Sequence, residues 1–179
     1  KLLTKEDPTI SATAWAQGGI VHLTKDEESV KTHVQDTIRA GDGLVDHEVL
    51  EFIARSGYKA TKWLIDHGVV FSQDKKLNQL HLVLEGGHSV PRIAHAGDAT
   101  GRAILDVLIK KALMHPNITI LKDTFVIDLV ENQHLSKLSH DNKIYGVYAL
   151  NTISNKVTII PASHVVLATG GGGHLFTNT

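Results

Sequence analysis

The stretch that decides the fold is VVLATGGGG, residues 165–173. Four apolar residues in a row, without polar alternation, are typical of a strand that is buried on both faces of a parallel sheet. A glycine turn follows, as at the carboxyl edge of such a sheet. Upstream, residues 100–113 have the periodicity of a crossover helix, which Thr100 can cap and Pro116 closes. Strand and helix together predict an α/β architecture. The apolar face of the helix is predicted to carry Ile104, Leu105, Leu108, Ile109 and Leu113.

A small antiparallel β-meander is predicted in the region between that helix and the final strand. Strand-like runs lie at residues 118–121, 125–130, 144–150 and 157–160. Polar turns near residues 132–142 and 151–155 separate the later runs. The chain also opens as if part-way along a strand. We therefore expect a central piece of a longer domain, with partner strands outside this chain.

The first third of the chain is predicted to be helical. Apolar residues recur every four positions over residues 30–38 and predict a helix that ends at Gly41. Two shorter helices are predicted after it, one stopped by Gly57 and one ending at Gly68. The periodicity is then lost over residues 71–99. A structureless stretch of that length inside a compact domain tends to be functional.

Charge and cysteine content exclude several classes of function. The 179 residues include 18 Lys and Arg against 19 Asp and Glu, so nucleic acid and anionic membranes are not expected partners. No apolar run is long enough to span a membrane. The absence of Cys excludes disulfides, thiolate metal sites and cysteine nucleophiles. A cytoplasmic location is the simplest expectation.

Two glycine-containing segments are candidate ligand sites. Residues 14–19, AWAQGG, gather small side chains and backbone N–H groups, which would let a flat or phosphorylated ligand approach the main chain. The glycines after residue 168 would lie at the edge of the sheet, where crevices form. An ordinary glycine turn is the alternative in both cases, and composition alone favours it. No G-x-G-x-x-G sequence lies between a strand and a helix.

Several ionisable residues of the 71–99 stretch and its neighbourhood are further candidates. Glu85 lies between an apolar run and two glycines, so its carboxylate could be partly desolvated and hold a substrate ammonium; a solvated glutamate is the common case. Arg92 and Arg102 could bind carboxylate or phosphate, or pair with Asp98 and Asp106. His81, His88 and His95 are poorly placed for zinc. GHSVP at residues 87–91 does not match a hydrolase nucleophile elbow.

Six blocks in a fixed order give a more specific signal. Their sequences are SATAWAQGGI (11–20), HVQDT with AGDGL (33–44), WLIDHGV (63–69), EGGHS (85–89), RIAHAGDATGR (92–102) and VVLATGG (165–171). On these blocks the chain resembles the flavoprotein family of L-aspartate oxidases, succinate dehydrogenases and fumarate reductases. The L-aspartate oxidase branch is the most similar, and the resemblance covers nearly all of the chain.

The resemblance implies FAD bound in an extended form by a Rossmann-like domain. The family's flavin contacts correspond to Thr13, Ala14, Trp15, Ala16, Gln17, Gly18 and Gly19. Lys5 matches a residue near the adenosine ribose, Phe125 and Val126 match the adenine side, and Ala168, Thr169 and Gly170 pack under the cofactor. Ala12 stands where membrane-bound members carry the histidine that is joined covalently to FAD. Noncovalent FAD is therefore expected.

The resemblance also implies a reaction and its partners. The EGGHS block is the aspartate-oxidase form, in which Glu85 orients the substrate amino group. The implied activity is oxidation of L-aspartate to iminoaspartate in NAD biosynthesis, with oxygen or fumarate as acceptor and hand-over of the product to quinolinate synthase. A soluble fumarate reductase and a non-catalytic flavin-binding module are alternatives. The family's phosphate loop would precede residue 1, and the catalytic cap would follow residue 179.

Overall fold

A computed structural model describes residues 1–132, 143–173 and 176–178 of the chain. In chain order its elements are β1 (Leu2–Leu3), α1 (Ala12–Trp15), β2 (Ile20–Val21), α2 (Glu27–Gly41), α3 (His47–Asp66), β3 (Gln73–Asp74), β4 (Gln79–Leu80), β5 (Leu82–Val83), β6 (Ile93–Ala94), α4 (Thr100–Met114), β7 (Ile120–Leu121), β8 (Thr124–Glu131), β9 (Ile144–Asn151) and β10 (Lys156–Pro161). The chain divides into two units, Thr13–Lys110 and Lys1–Ala12 with Lys111–Thr179. Helices and strands are mixed, which confirms the α/β class.

Helix α2 confirms the first predicted helix. Its N-cap is Asp26, whose carboxylate accepts a hydrogen bond of 2.8 Å from the backbone N–H of Ser29. This cap satisfies one of the donors that a helix N-terminus leaves without partners. Asp42, at φ 43°, is the C-cap in the left-handed region. Both ends of α2 are thus fixed by local sequence.

Helix α3 corrects the prediction of two short helices. It runs without interruption from His47 to Asp66, with Gly57 inside it. A mid-helix glycine costs about 1 kcal/mol relative to alanine. The tertiary contacts of α3 offset that cost, because Leu50, Ala54 and Thr61 are buried along one side.

The 71–99 stretch is more ordered than predicted. Strands β5 and β6 pair antiparallel, and β6 also pairs with β2, so that the sheet order is β2-β6-β5. Strands β3 and β4 form a separate hairpin. The two-residue strands are too short for a periodicity that the sequence could display. Residues 84–92, between β5 and β6, and residues 95–99, before α4, form no helix or strand.

Two apolar clusters form the core of the Thr13–Lys110 unit. The first joins Leu23 to Val30 of α2 and Ala54 of α3. The second is built on Val69, Phe71 and Ala94. Partly buried residues pack against this second cluster: Ile20, Leu64, Leu80, Leu82, Ile104 and Val107. The three-stranded sheet is therefore held between the end of α3 and the first turns of α4.

Helix α4 agrees with the predicted crossover helix in extent, and two details differ. Thr100 lies in the helix, and its hydroxyl accepts a hydrogen bond of 2.9 Å from the backbone N–H of Ala96. It therefore ties the helix to the preceding loop instead of capping a helical N–H. Leu113, assigned to the apolar face, is exposed near the end of the helix.

The other unit contains the predicted meander. Strands β8, β9 and β10 are antiparallel in the order β10-β9-β8, and β8 is shifted in register between Val126 and Asp128. The first strand, β1, pairs in parallel with β7. The polar turn predicted near residues 132–142 lies outside the described residues except for Asn132. The meander prediction is confirmed over the strands that the structure describes.

The buried strand predicted at residues 165–168 is absent. These residues form no strand, and Val166 and Leu167 are 87% and 61% exposed. An apolar run becomes a strand only when neighbouring strands take up its backbone hydrogen bonds, and no described strand pairs with this one.

None of the helices in the described part of the chain is long and apolar enough to cross a membrane.

Candidate functional site

Most residues of the segment Thr13–Gly19 are exposed, and the segment packs against the start of α4. The backbone N–H of Gly101 donates a hydrogen bond of 2.9 Å to the carbonyl oxygen of Ala16. A Cβ atom at Gly101 would collide with the carbonyl oxygen of Thr13 and lie 2.8 Å from the Cβ of Ala16. Only glycine at position 101 therefore allows α4 and this segment to come so close.

The two glycines at the end of the segment have different roles. A Cβ at Gly19 would collide with Ile93 and with the carbonyl oxygen of Ala94, so this glycine is required by strand β6. At Gly18 no described atom lies within 4 Å of such a Cβ. Close packing against β6 thus accounts for Gly19. Gly18 leaves main chain open to an approaching ligand, as the cofactor hypothesis requires.

A buried ion pair holds the loop that follows Glu85. Asp36 of α2 and Arg92 are only 2% and 3% exposed. The Oδ2 atom of Asp36 accepts hydrogen bonds of 2.7 Å from Arg92 Nη1 and of 2.8 Å from both the backbone N–H and the hydroxyl of Ser89. Its Oδ1 atom accepts a bond of 3.1 Å from Arg39. Both carboxylate oxygens are therefore satisfied by charge-assisted bonds.

This network lowers the pKa of Asp36 and that of the neighbouring His33. The backbone N–H of Ser89, followed by the Ser89 hydroxyl and the Arg92 guanidinium, holds the pKa of Asp36 well below its usual range. Burial lowers the pKa of His33, and the nearby Arg92 lowers it further. The rings of His33 and His88 are stacked, with 5.8 Å between their centroids. Arg92 Nη1 lies 3.2 Å from Nδ1 of His88, and because a guanidinium can only donate, Nδ1 is the acceptor.

The structure corrects two expectations about the ionisable candidates. Glu85 is exposed, so its carboxylate is not desolvated by this chain. Arg92 pairs with Asp36, 56 residues away, and not with Asp98. Arg102 pairs with Asp106 across one turn of α4, as the alternative interpretation had it.

The three histidines at positions 81, 88 and 95 do not come together as one group. His81 Nδ1 and His95 Nε2 are 2.8 Å apart, whereas His88 belongs to the Arg92 network. Over residues 1–132, 143–173 and 176–178, no group of three or more His, Asp or Glu side chains could hold a metal ion.

Two residues predicted on the adenosine side of the cofactor lie together. The Nζ atom of Lys5 is 5.9 Å from the ring centroid of Phe125, near the limit of a cation–π contact. Phe125 is exposed on β8, and the neighbouring Val126 is half-buried. Ala168, Thr169 and Gly170 are exposed, and Gly170 has a φ of 77°, in the left-handed region.

The residues present fit the implied cofactor. The Thr13–Gly19 segment has no ionisable side chain and carries open main chain at Gly18. The ammonium group of Lys5 lies over the ring of Phe125. An aromatic ring beside a cation suits the adenine base and the phosphates of FAD. The individual contacts to cofactor and substrate stay predictions.

Sequence reasoning missed Asp36 as a structural centre. Asp36 lies in the HVQDT block, and nothing in that block marks it as buried. Its partners Ser89 and Arg92 lie 53 and 56 residues further along the chain. No local period or cap signal marks such a residue. A buried acid can be recognised from sequence only when its partner is also known.

Comparison with known proteins defines the class. The chain belongs to the FAD binding domain family, which it matches over residues 1–179. It is 41% identical over 179 residues to L-aspartate oxidase 1 of Ralstonia nicotianae, an alignment that covers 99% of this chain and 33% of that protein. The L-aspartate oxidase of Yersinia pestis is 39% identical over 181 residues, covering 99% of this chain and 34% of its own length.

Structural comparison gives the same fold. A mutated quinol fumarate reductase from E. coli matches with a TM-score of 0.87 and 27% identity, over 98% of this chain and 28% of that chain. The chain thus spans about a third of the length of the curated relatives it matches. The resemblance drawn from the six sequence blocks is confirmed.

Proposed function

We propose that this chain is the central part of the FAD-binding domain of an L-aspartate oxidase. The observation that carries the proposal is 41% identity to an L-aspartate oxidase over 99% of the chain. The substrate would be L-aspartate and the product iminoaspartate, with oxygen or fumarate as the final acceptor. FAD, when bound, would accept the hydride from the substrate Cα, while the protein supplies binding and orientation.

The residues of this chain would hold the cofactor noncovalently. Thr13–Gly19 would contact the flavin, and Lys5, Phe125 and Val126 the adenosine. The segment from Ala168 to Gly170 would lie under the cofactor. Ala12 has no nucleophilic atom for a covalent bond to FAD, which supports noncovalent binding.

Glu85 would orient the substrate amino group. A carboxylate is a strong, charge-assisted acceptor for an ammonium group. It is exposed in this chain, so the desolvation that strengthens such a contact would come from substrate and from the rest of the enzyme. A dicarboxylate without an amino group would gain nothing from it.

The proposal extends to location and partners. A cytoplasmic enzyme that delivers its unstable imine to quinolinate synthase would fit the reaction. The balanced charge, 18 basic against 19 acidic residues, supports neither nucleic acid nor an anionic membrane as a partner.

The experiment that tests this function uses the full-length protein loaded with FAD under anaerobic conditions. The oxidised-flavin absorption band is followed after L-aspartate is added and, separately, after succinate. We expect bleaching by L-aspartate alone. Bleaching by succinate alone would place the protein with the fumarate reductases, and bleaching by neither would indicate a non-catalytic flavin-binding module.

The fumarate reductase alternative is supported by the structural match with a TM-score of 0.87. Glu85→Gln in the full-length enzyme separates the two. We expect it to lower kcat/KM for L-aspartate by about 100-fold, since a misplaced substrate can cost that much, and fumarate reduction by no more than about twofold. Glu48→Gln, an identical change at an exposed position of α3, is the control. Equal losses in both reactions would remove the role of Glu85.

A further inference from the structure

The Glu85–Gly87 part of the loop has almost no packing of its own. A Cβ added at Gly86 would meet no described atom within 4 Å, and one at Gly87 would meet only the Ala40 side chain, at 3.9 Å. Gly87 has a φ of 82°, in the left-handed region. Residues 84–87 are exposed. Apolar contact therefore does not fix this part of the loop.

Asp36 is the buried point to which the loop is attached. It lies well inside α2, a capped helix, and is 2% exposed. One of its oxygens accepts bonds of 2.7 to 2.8 Å from Ser89, through backbone and hydroxyl, and from Arg92. Ser89 and Arg92 both lie in the part of the loop that leads into strand β6. Helix α2 thus holds the carboxyl-terminal end of the loop through the carboxylate of Asp36.

The attachment is close enough in the chain to control Glu85. The backbone N–H of His88 donates a hydrogen bond of 3.2 Å to the carbonyl oxygen of Glu85, which closes a turn over residues 85–88. Ser89, the next residue, is fixed by Asp36. On the other side, the N–H of Arg92 donates a bond of 3.2 Å to the carbonyl oxygen of Val83. The turn with Glu85 is therefore bounded on one side by Ser89, which Asp36 holds, and on the other by the backbone bond from Arg92 to Val83.

We propose that Asp36 is a positioning residue, which holds the 85–92 loop so that Glu85 meets the substrate amino group. The inference rests on the proposed function, because it assigns Asp36 a part in the use of that same site. Asp36 itself touches no substrate. Its effect passes through Ser89 and Arg92 to the turn, and from the turn to the carboxylate of Glu85.

The first test is a double-mutant cycle in the full-length, FAD-loaded enzyme. Asp36→Asn keeps the shape of the side chain and removes the charge. We expect it to lower kcat/KM for L-aspartate by about 100-fold and fumarate reduction by about twofold at most, the same selectivity as Glu85→Gln. In the double variant the two losses should not multiply, since residues that act through one contact are not additive.

The second test reads the loop directly and needs no turnover. Hydrogen exchange of the amides of residues 86–90 should be at least about tenfold faster in Asp36→Asn, because exchange follows local opening. Exchange in α3 should not change. Asp66→Asn is the matched control, since Asp66 has an exposed pair with Lys62 on α3. Ser89→Ala, which removes only one donor to Asp36, should give a smaller effect in the same direction should Asp36→Asn fail to fold.

The outcomes separate this inference from the function on which it rests. Multiplicative losses, equal losses in both reactions, or unchanged exchange of residues 86–90 would each overturn the role of Asp36 and leave the oxidase function standing. If L-aspartate does not bleach the unmodified protein, the proposed function fails and the substrate role of Asp36 fails with it. Exchange then still decides whether Asp36 holds the loop.

Discussion

The two segments expected to meet ligand in the Thr13–Lys110 unit, residues 13–19 and residues 85–90, are held in different ways. The first is fixed by shape: Gly19 and Gly101 let main chain from β6 and α4 come into contact with it. The second is fixed by charge, through Asp36 and Arg92. Both leave exposed backbone beside the point of attachment.

The difference bears on what each segment can do. Backbone atoms in close contact leave no room for displacement. A segment held in this way keeps its shape and suits a bound cofactor. A loop held at a few charged bonds is fixed at those points, and the turn beyond them, which carries Glu85, stays exposed. Such a loop suits a substrate that must enter and leave at every turnover.

The strongest test of this comparison removes the charge. Asp36→Ala leaves Arg92 buried without its ion-pair partner, and loss of one member of a buried pair costs about 3–5 kcal/mol. We expect the free energy of unfolding in urea to fall by that amount. In the control Asp66→Ala, where the pair with Lys62 is exposed, the loss should be about 0–1 kcal/mol. Equal losses at the two positions would show that the buried pair has no special weight.

The next test fills the steric contact. A Cβ at Gly101 would collide with the carbonyl oxygen of Thr13, which cannot move without displacing the segment. Gly101→Ala should therefore cost about 1–3 kcal/mol of stability, as overpacking does, measured by urea unfolding. It should also weaken FAD retention in the full-length protein.

Gly18→Ala is the matched control for that variant. No described atom lies within 4 Å of the added Cβ, so its effect on stability should be within about 0.5 kcal/mol. A loss as large as that of Gly101→Ala would mean that close approach does not hold the segment.

How much of the fold could be predicted from the sequence depends on how far apart in the chain the interacting residues lie. The end of α2 at Gly41 and the β8–β10 meander rest on local signals, and both were predicted from the sequence. Helix α3 was divided wrongly at Gly57, because a helix-breaking propensity of about 1 kcal/mol is overridden by burial that the local pattern does not show. The strand at residues 165–168 was predicted from its apolar run, yet it needs neighbours to pair with.

The candidate site follows the same rule. The open main chain at Gly18 and the exposed Glu85 lie within blocks that sequence comparison recognises. The pairing of Asp36 with Ser89 and Arg92 spans more than 50 residues, so no periodicity reveals it. The candidate site residues could thus be predicted from the sequence, and the buried network beside them could not.

The smallest expected effect is a pH dependence that belongs to Asp36 alone. Hydrogen bonds from Ser89 and the charge of Arg92 hold the pKa of Asp36 below its usual range in the folded protein. The unfolded pKa is about 3.9, so the stabilisation is complete above that pH and is lost as pH falls toward the folded pKa. The difference in unfolding free energy between the unmodified protein and Asp36→Asn should therefore shrink between about pH 5 and about pH 3, by at most about 1.4 kcal/mol per pH unit. His33, whose pKa is lowered by burial from a value of 6.5, is present in both proteins, so its direct contribution cancels. A difference that stays constant over this range would show that Asp36 titrates alike in the folded and unfolded chain, and the loop would then be held by something other than its charge.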